Sequence, residues 1–313
     1  MTEFGYLLDK IEAASFETEP FKHITIHDFL KDEHFEAVVR SPQINTTQSA
    51  NASALIDTLL AQGYTIISFP GCVTSKAEYL DWLEGRSQRS VHAATEGFGL
   101  VFRLKPPEGT ILAELDTLFR SERLQKVLMA KFRLTAPVAM DAGLQKYLHG
   151  YEISPHPDVR SKALTWMLNI NPGSNSEALD FHTHYLRFRP EWSYISEFWK
   201  HNNDVERCWV PWEWCTTVKQ QQRNNSIVFF SPNHDTLHAV KADYNHLVSQ
   251  RTQLYGNLWY KEAPILLKRE FDSLAIKDKR SAHAGWSGLL RESAVGRRLL
   301  GVARRVIGAT PLR

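Results

Sequence analysis

Apolar positions recur at helical intervals through the first third of the chain and at strand intervals through much of the remainder. The opening twelve residues read as an acidic helix. Residues 24–40 predict a short strand and then a helix with an acidic first turn, which suits the positive end of the helix dipole. Residues 52–62 read as a helix, and Tyr64-Thr-Ile-Ile-Ser-Phe is a β-branched strand closed by Pro70-Gly71, with a further strand over 98–104. Ile111, Leu112, Leu115, Leu118, Phe119, Leu124, Val127 and Leu128 keep helical spacing, so 111–132 is expected as the main helix packed on a sheet. From 143 onward, strands are predicted at 144–155, 163–170, 226–231, 237–241 and 252–260, separated by turn residues such as Asn171-Pro172-Gly173 and Asn224-Asn225. Short strands following a helical first third predict an α+β, mainly β fold: a sandwich or jelly roll with helices on one face.

Residues 173–223 are too long for a plain hairpin loop and read as an aromatic-rich insertion, of the kind that forms lids or partner surfaces. Five of the nine tryptophans fall here (Trp192, Trp199, Trp209, Trp212 and Trp214), with Arg187, Arg189 and Arg207 among them.

The chain of 313 residues, 43% of them hydrophobic, is enough for one large domain or two small ones. A formal net charge of +2 gives no global field for nucleic acid. Cys72, Cys208 and Cys215 have no zinc-type spacing and cannot close a disulfide framework, so a reducing cytoplasm is the expected compartment. The acidic opening does not resemble a signal peptide, and no apolar run approaches the ~18 residues of a membrane span.

Candidate chemistry concentrates in Tyr147-Leu-His-Gly-Tyr-Glu-Ile-Ser-Pro-His156-Pro-Asp158, answered by His238 and then Arg251. On a strand, His156 and Asp158 project the same way, and a third ligand must come from a distant strand such as the one at His238. Two imidazoles and one carboxylate on one face of a metal are diagnostic of non-haem Fe(II) oxygenases. Other arrangements compete. Asp180-Phe-His182-Thr-His184 offers another triad but lacks a following strand with histidine and base, and His234 sits in a Pro-Asn-His-Asp turn. Lys241, three residues past His238, is a weaker partner for an acidic co-substrate than Arg251.

Tyr147, Gly150 and His156 are spaced three and then six apart, and Asp158 follows. Thr165-Trp-Met-Leu168-Asn169, His238-Ala-Val240 and Arg251-Thr252 come after in that order. With these motifs, region 143–260 resembles the Fe(II)/2-oxoglutarate-dependent dioxygenases, in particular their prolyl-4-hydroxylase-like branch; Ile-His-Asp-Phe-Leu at 26–30 is similar to that family's opening. The resemblance implies a double-stranded β-helix core. It implies Fe(II) held by His156, Asp158 and His238, two further positions taken by 2-oxoglutarate and one by O2, with ascorbate as an aid in vitro. It gives Arg251, a fork-shaped donor, and Tyr147 to the far carboxylate of the co-substrate. The implied reaction hydroxylates an aliphatic C–H and releases succinate and CO2. Asp158 leaves no ligand position vacant for chloride, which disfavours halogenation.

The substrate is read from two places. Tryptophan faces stack on rings and arginine binds phosphate or carboxylate, so Trp192, Trp212, Arg187 and His184 are candidate substrate contacts; the competing reading has these tryptophans filling a core or a dimer contact. Residues 285–313 form a basic amphipathic segment, expected beyond a catalytic domain at 1–284. It either docks on the domain or lies on an anionic membrane, which would place the protein at the inner membrane face. The expected function is hydroxylation of a small-molecule or sugar-containing, even lipid-linked, substrate. The alternatives are a prolyl or peptidyl hydroxylase and a non-catalytic ligand-binding jelly roll that retains the metal; self-association is left open.

Overall fold

The computed structural model describes residues 3–86, 97–105, 107, 111–202, 205–262 and 274–275. Helices occupy Tyr6–Ala13 (α1), Asp32–Arg40 (α2), Ala52–Ala61 (α3), Lys76–Leu83 (α4), Ile111–Phe119 (α5), Glu122–Phe132 (α6) and Tyr194–His201 (α7). The early strands are Ile24–Ile26 (β1), Tyr64–Ile66 (β2), Val101–Leu104 (β3), Val138–Tyr147 (β4), Glu152–His156 (β5) and Lys162–Asn169 (β6). After them come Thr183–Phe188 (β7), Cys208–Trp209 (β8), Cys215–Gln220 (β9), Ile227–Phe230 (β10), His238–Lys241 (β11), Arg251–Tyr260 (β12) and Leu274–Ala275 (β13).

A seven-stranded sheet runs in the order β1-β10-β6-β12-β4-β3-β2 and a four-stranded sheet in the order β5-β11-β7-β9. From β4 onward the chain passes back and forth between the two sheets, and all pairings within them are antiparallel. That winding is a double-stranded β-helix, as the sequence predicts. The outer face of the large sheet carries the main core: Leu164, Trp166, Leu168, Ile227, Phe229, Leu254 and Leu258 pack beneath residues of α1, α2, α3, α5 and α6. Residues of opposite parity, including Met167, Val228, Phe230 and Tyr255, face inward between the sheets. Trp166 packs against Gly256 of the neighbouring strand; a Cβ there would come within 2.2 Å of Trp166 Cζ2, so only glycine admits the indole.

The helix expected over 111–132 is two helices. Ser121 caps α6 by accepting from the Leu124 N–H at 3.1 Å, so a new helix starts just after α5 ends at Phe119. The strand expected over 144–155 is likewise two: the chain turns at Gly150, whose φ of +84° suits a residue without Cβ, and passes from the large sheet into the small one. The segment 173–223 is more than a loop. It supplies β7 and β9, half of the small sheet, with α7 and β8 between them.

The basic segment 285–313 lies outside the described residues. No helix among the described residues is long and apolar enough to cross a membrane. The three cysteines are free thiols.

Candidate metal centre

His156 closes β5 and His238 opens β11, and the two are direct antiparallel partners with ring centroids 4.4 Å apart. Each ring is fixed in the same way. Nδ1 of His156 lies 2.7 Å from the Ser154 carbonyl and Nδ1 of His238 lies 3.0 Å from the Thr236 carbonyl, in both cases two residues back. A carbonyl only accepts, so Nδ1 carries the proton and the Nε2 lone pair is left to bind a metal. Each Nε2 is 3.9 Å from Oδ1 of Asp158. The strand ends at His156 because Pro157 offers no N–H to continue the ladder, and Asp158 is presented from the segment just beyond it.

Asp158 is held from the opposite sheet. Thr165 of β6 donates to its Oδ2 at 2.6 Å, and Lys162 donates to its Oδ1 at 2.7 Å. Asn257 of β12 lies 3.0 Å from the Thr165 hydroxyl, and Tyr255 accepts from Lys162 at 3.0 Å. Burial alone would raise the Asp158 carboxyl, but Lys162 and the two imidazoles outweigh it and hold the group below the usual carboxylate range. Burial, reinforced by the neighbouring His238, pushes His156 down to about 3, and burial lowers His238. At neutral pH the site therefore offers one carboxylate and two neutral imidazoles.

These three ligand atoms lie within 4.8 Å of one another, all on buried residues. The three atoms are close enough to converge on one ion, drawing in from the 3.9 Å separations as it binds, and two nitrogens with one carboxylate oxygen on one face leave positions open toward the cavity. The donor set fits Fe(II).

Arg251 begins β12 opposite Tyr147 and is 98% buried, with its guanidinium 4.5 Å over the Tyr147 ring. It donates to Thr183 Oγ1 at 3.1 Å. Thr183 pairs with Val240, two residues along β11 from His238, so the residue that Arg251 bonds stands a backbone rise of about 7 Å along the strand from the position of that histidine. Burial raises the Tyr147 phenol above its ordinary range, so it stays a neutral hydroxyl, now bonded to Gln145 at 2.5 Å. His156, Asp158, His238, Arg251 and Tyr147 all line one cavity of about 490 Å³.

Strand alternation turns Lys241 and His184 away from the inward face. With His238 and Val240 inward, Lys241 faces out, its side chain 62% exposed. His184 pairs with Ala239, on the outward parity, and lies beside Trp212, whose indole donates to Glu152. Arg187 is exposed and paired with Glu19, and Trp192 stacks on Trp214 at 3.8 Å. None of His184, Arg187, Trp192 or Trp212 lines the cavity. Instead Trp192, Trp199, Trp212 and Trp214 build a separate small core under α7. His234 is exposed, in a turn.

The cavity also holds residues that the sequence reading did not single out: Lys162, Tyr255, Asn257, Trp259 and the Arg103–Asp141 ion pair, 2.9 Å long. A signal was present. Alternate positions of β12 read Arg251, Gln253, Tyr255, Asn257 and Trp259, an unusual polar and aromatic row for the inward face of a buried strand.

No protein-family model matches the sequence, and no curated protein matches it. Among solved structures, the chain is similar to a prolyl-4-hydroxylase from Pseudomonas putida at 11% identity and a TM-score of 0.40, covering 83% of this chain and 99% of that one. It is similar to a 2OG-Fe(II) oxygenase family oxidoreductase from Burkholderia pseudomallei at 13% identity and a TM-score of 0.29, covering 69% and 94%. A third similarity, at 11% identity and a TM-score of 0.32, is to a Trichoplax adhaerens prolyl hydroxylase bound to a peptide of hypoxia inducible factor, covering 75% and 96%.

Proposed function

We propose that this protein is an Fe(II)- and 2-oxoglutarate-dependent oxygenase that hydroxylates an aliphatic C–H of a small molecule. The observation that carries this reading is one cavity lined both by an open His-Asp-His face and by a buried arginine. His156, Asp158 and His238 would hold the iron. Arg251 and Thr183 would take the far carboxylate of 2-oxoglutarate, with Tyr147 as a hydroxyl donor beside them. When bound, Fe(II) with 2-oxoglutarate and O2 supplies the oxidant that converts C–H to C–OH while the keto acid becomes succinate and CO2.

The chain's own work is orientation. Thr165 and Lys162 keep Asp158 ionised and aimed at the two imidazoles. Arg251 sits where bulk water cannot compete for its fork, which strengthens a bidentate contact with a carboxylate. A cavity of about 490 Å³, the size of ordinary small-molecule sites, favours a small molecule over a protein substrate.

Succinate release from 2-oxoglutarate, measured with Fe(II) and ascorbate, tests the assignment. His156→Ala is expected to abolish it. Arg251→Ala is expected to raise the KM for 2-oxoglutarate by about ten- to a hundredfold, the worth of a charge-assisted pair. Unchanged turnover in both variants would sink the reading.

A further inference from the structure

Charge is not balanced along the cavity. Among the described residues its wall carries four cations, Arg103, Lys162, Arg207 and Arg251, against two carboxylates, Asp141 and Asp158. Arg103 is matched to Asp141 and Lys162 to Asp158. Arg251 is committed to the co-substrate, and the charges of a divalent iron and a dicarboxylate cancel. Arg207 is left over. It is exposed and has no ion-pair partner among the described residues; its guanidinium lies 5.4 Å over the ring of Trp209.

The position of this arginine is set by the fold. The Val210 N–H donates to the Pro155 carbonyl at 3.0 Å, so the segment 207–210 runs alongside the end of β5 that carries His156. Trp209 is thereby brought to the cavity wall next to the metal face, with Arg207 two residues further toward solvent. Across the cavity, Trp259 and Tyr255 flank Lys162, whose ammonium is 5.5 Å and 5.7 Å from the two rings. The cavity thus has aromatic side chains on its wall and, among the described residues, one cation without an acidic partner.

Resting on the metal and co-substrate reading above, we infer that the primary substrate is an anion with an apolar or ring-bearing body. Its carboxylate or phosphate pairs with Arg207 at the mouth, and its body lies between Trp209 and Trp259 with the reacting carbon toward the metal face. Arginine suits this role because its planar fork pairs with either oxyanion while its flat face stays stacked on the indole.

The test uses the full chain under anaerobic conditions with Fe(II) and saturating 2-oxoglutarate, so that Arg251 is occupied. Three probes are titrated calorimetrically: 2-naphthoate, 2-naphthyl phosphate and the neutral 2-naphthamide. At least one anion is expected to bind about tenfold or more tightly than the amide, the effect of one charge-assisted contact. The tighter anion shows whether carboxylate or phosphate is preferred. Arg207→Gln is expected to erase the preference and Arg207→Lys to keep most of it. Equal binding of amide and anions, a preference that survives Arg207→Gln, or no binding of any probe overturns the inference. Binding of 2-oxoglutarate to the ferrous protein, followed by its charge-transfer absorption, is recorded first. Its absence would overturn the metal and co-substrate reading as well, whereas its presence with equal probe binding overturns the anion inference alone.

Discussion

Among the described residues two pairs of histidines lie in contact, each beside an aspartate, and one of them forms a group that could hold a metal. His156 and His238 share Asp158, and both Nδ1 atoms are tied to carbonyls two residues back. His149 and His246 stack nearly parallel, with centroids 6.1 Å apart and planes 4° off, and Asp243 lies 3.4 Å from His149. Here the ring nitrogens His149 Nδ1 and His246 Nε2 have no hydrogen-bond partner among the described residues, and Asp243 is 70% exposed. Residue types are the same in both. The difference is that the first pair is aimed by backbone carbonyls at a buried carboxylate that two further donors keep charged. A ligand set is made by what holds the ligands.

The comparison breaks most sharply at the two aspartates. Asp158→Ala is expected to take Fe(II) binding below detection by equilibrium dialysis, whereas Asp243→Ala leaves it unchanged; equal losses would mean the two pairs do not differ as argued. Next in size is the support. Thr165→Val keeps the volume but removes the donor to Asp158 Oδ2, and a roughly ten- to hundredfold loss of iron affinity is expected by the same dialysis.

The smallest effect concerns the stacked pair and is read in stability. Burial, with His149 beside it, lowers His246 to about 4. Between that value and the ordinary histidine value of about 6.5 the unfolded chain binds a proton that the native state does not, so stability falls as pH falls through this window. The full contribution would be at most about 3 kcal/mol. His246→Phe is expected to flatten the drop in thermal stability between pH 6.5 and 4 without changing iron affinity; an unaltered slope would show that this ring does not titrate as described.

The residues of the candidate metal centre were legible because much of the signal is local. His156 and Asp158 are two residues apart, and the strands around His238 and Arg251 are bounded by recognisable turns. Ser121 was an available stop signal within 111–132, since it heads a second helical run as a cap. β9 was not legible: it is largely exposed, and Thr216, Thr217 and Val218 alternate with nothing apolar enough to mark a face. The proposed substrate side of the cavity was hidden for a different reason. Which of five tryptophans reaches the cavity depends on β8 running beside β5, a pairing far apart in sequence that no local spacing encodes.

The two ends of the candidate site belong to different layers. His156 and His238 stand on the small sheet, while Thr165 and Arg251 stand on the large one. A metal and a dicarboxylate bound between them would therefore act as a rivet through the sandwich. Parting the sheets would first require release of both, so occupancy sets how often the layers separate.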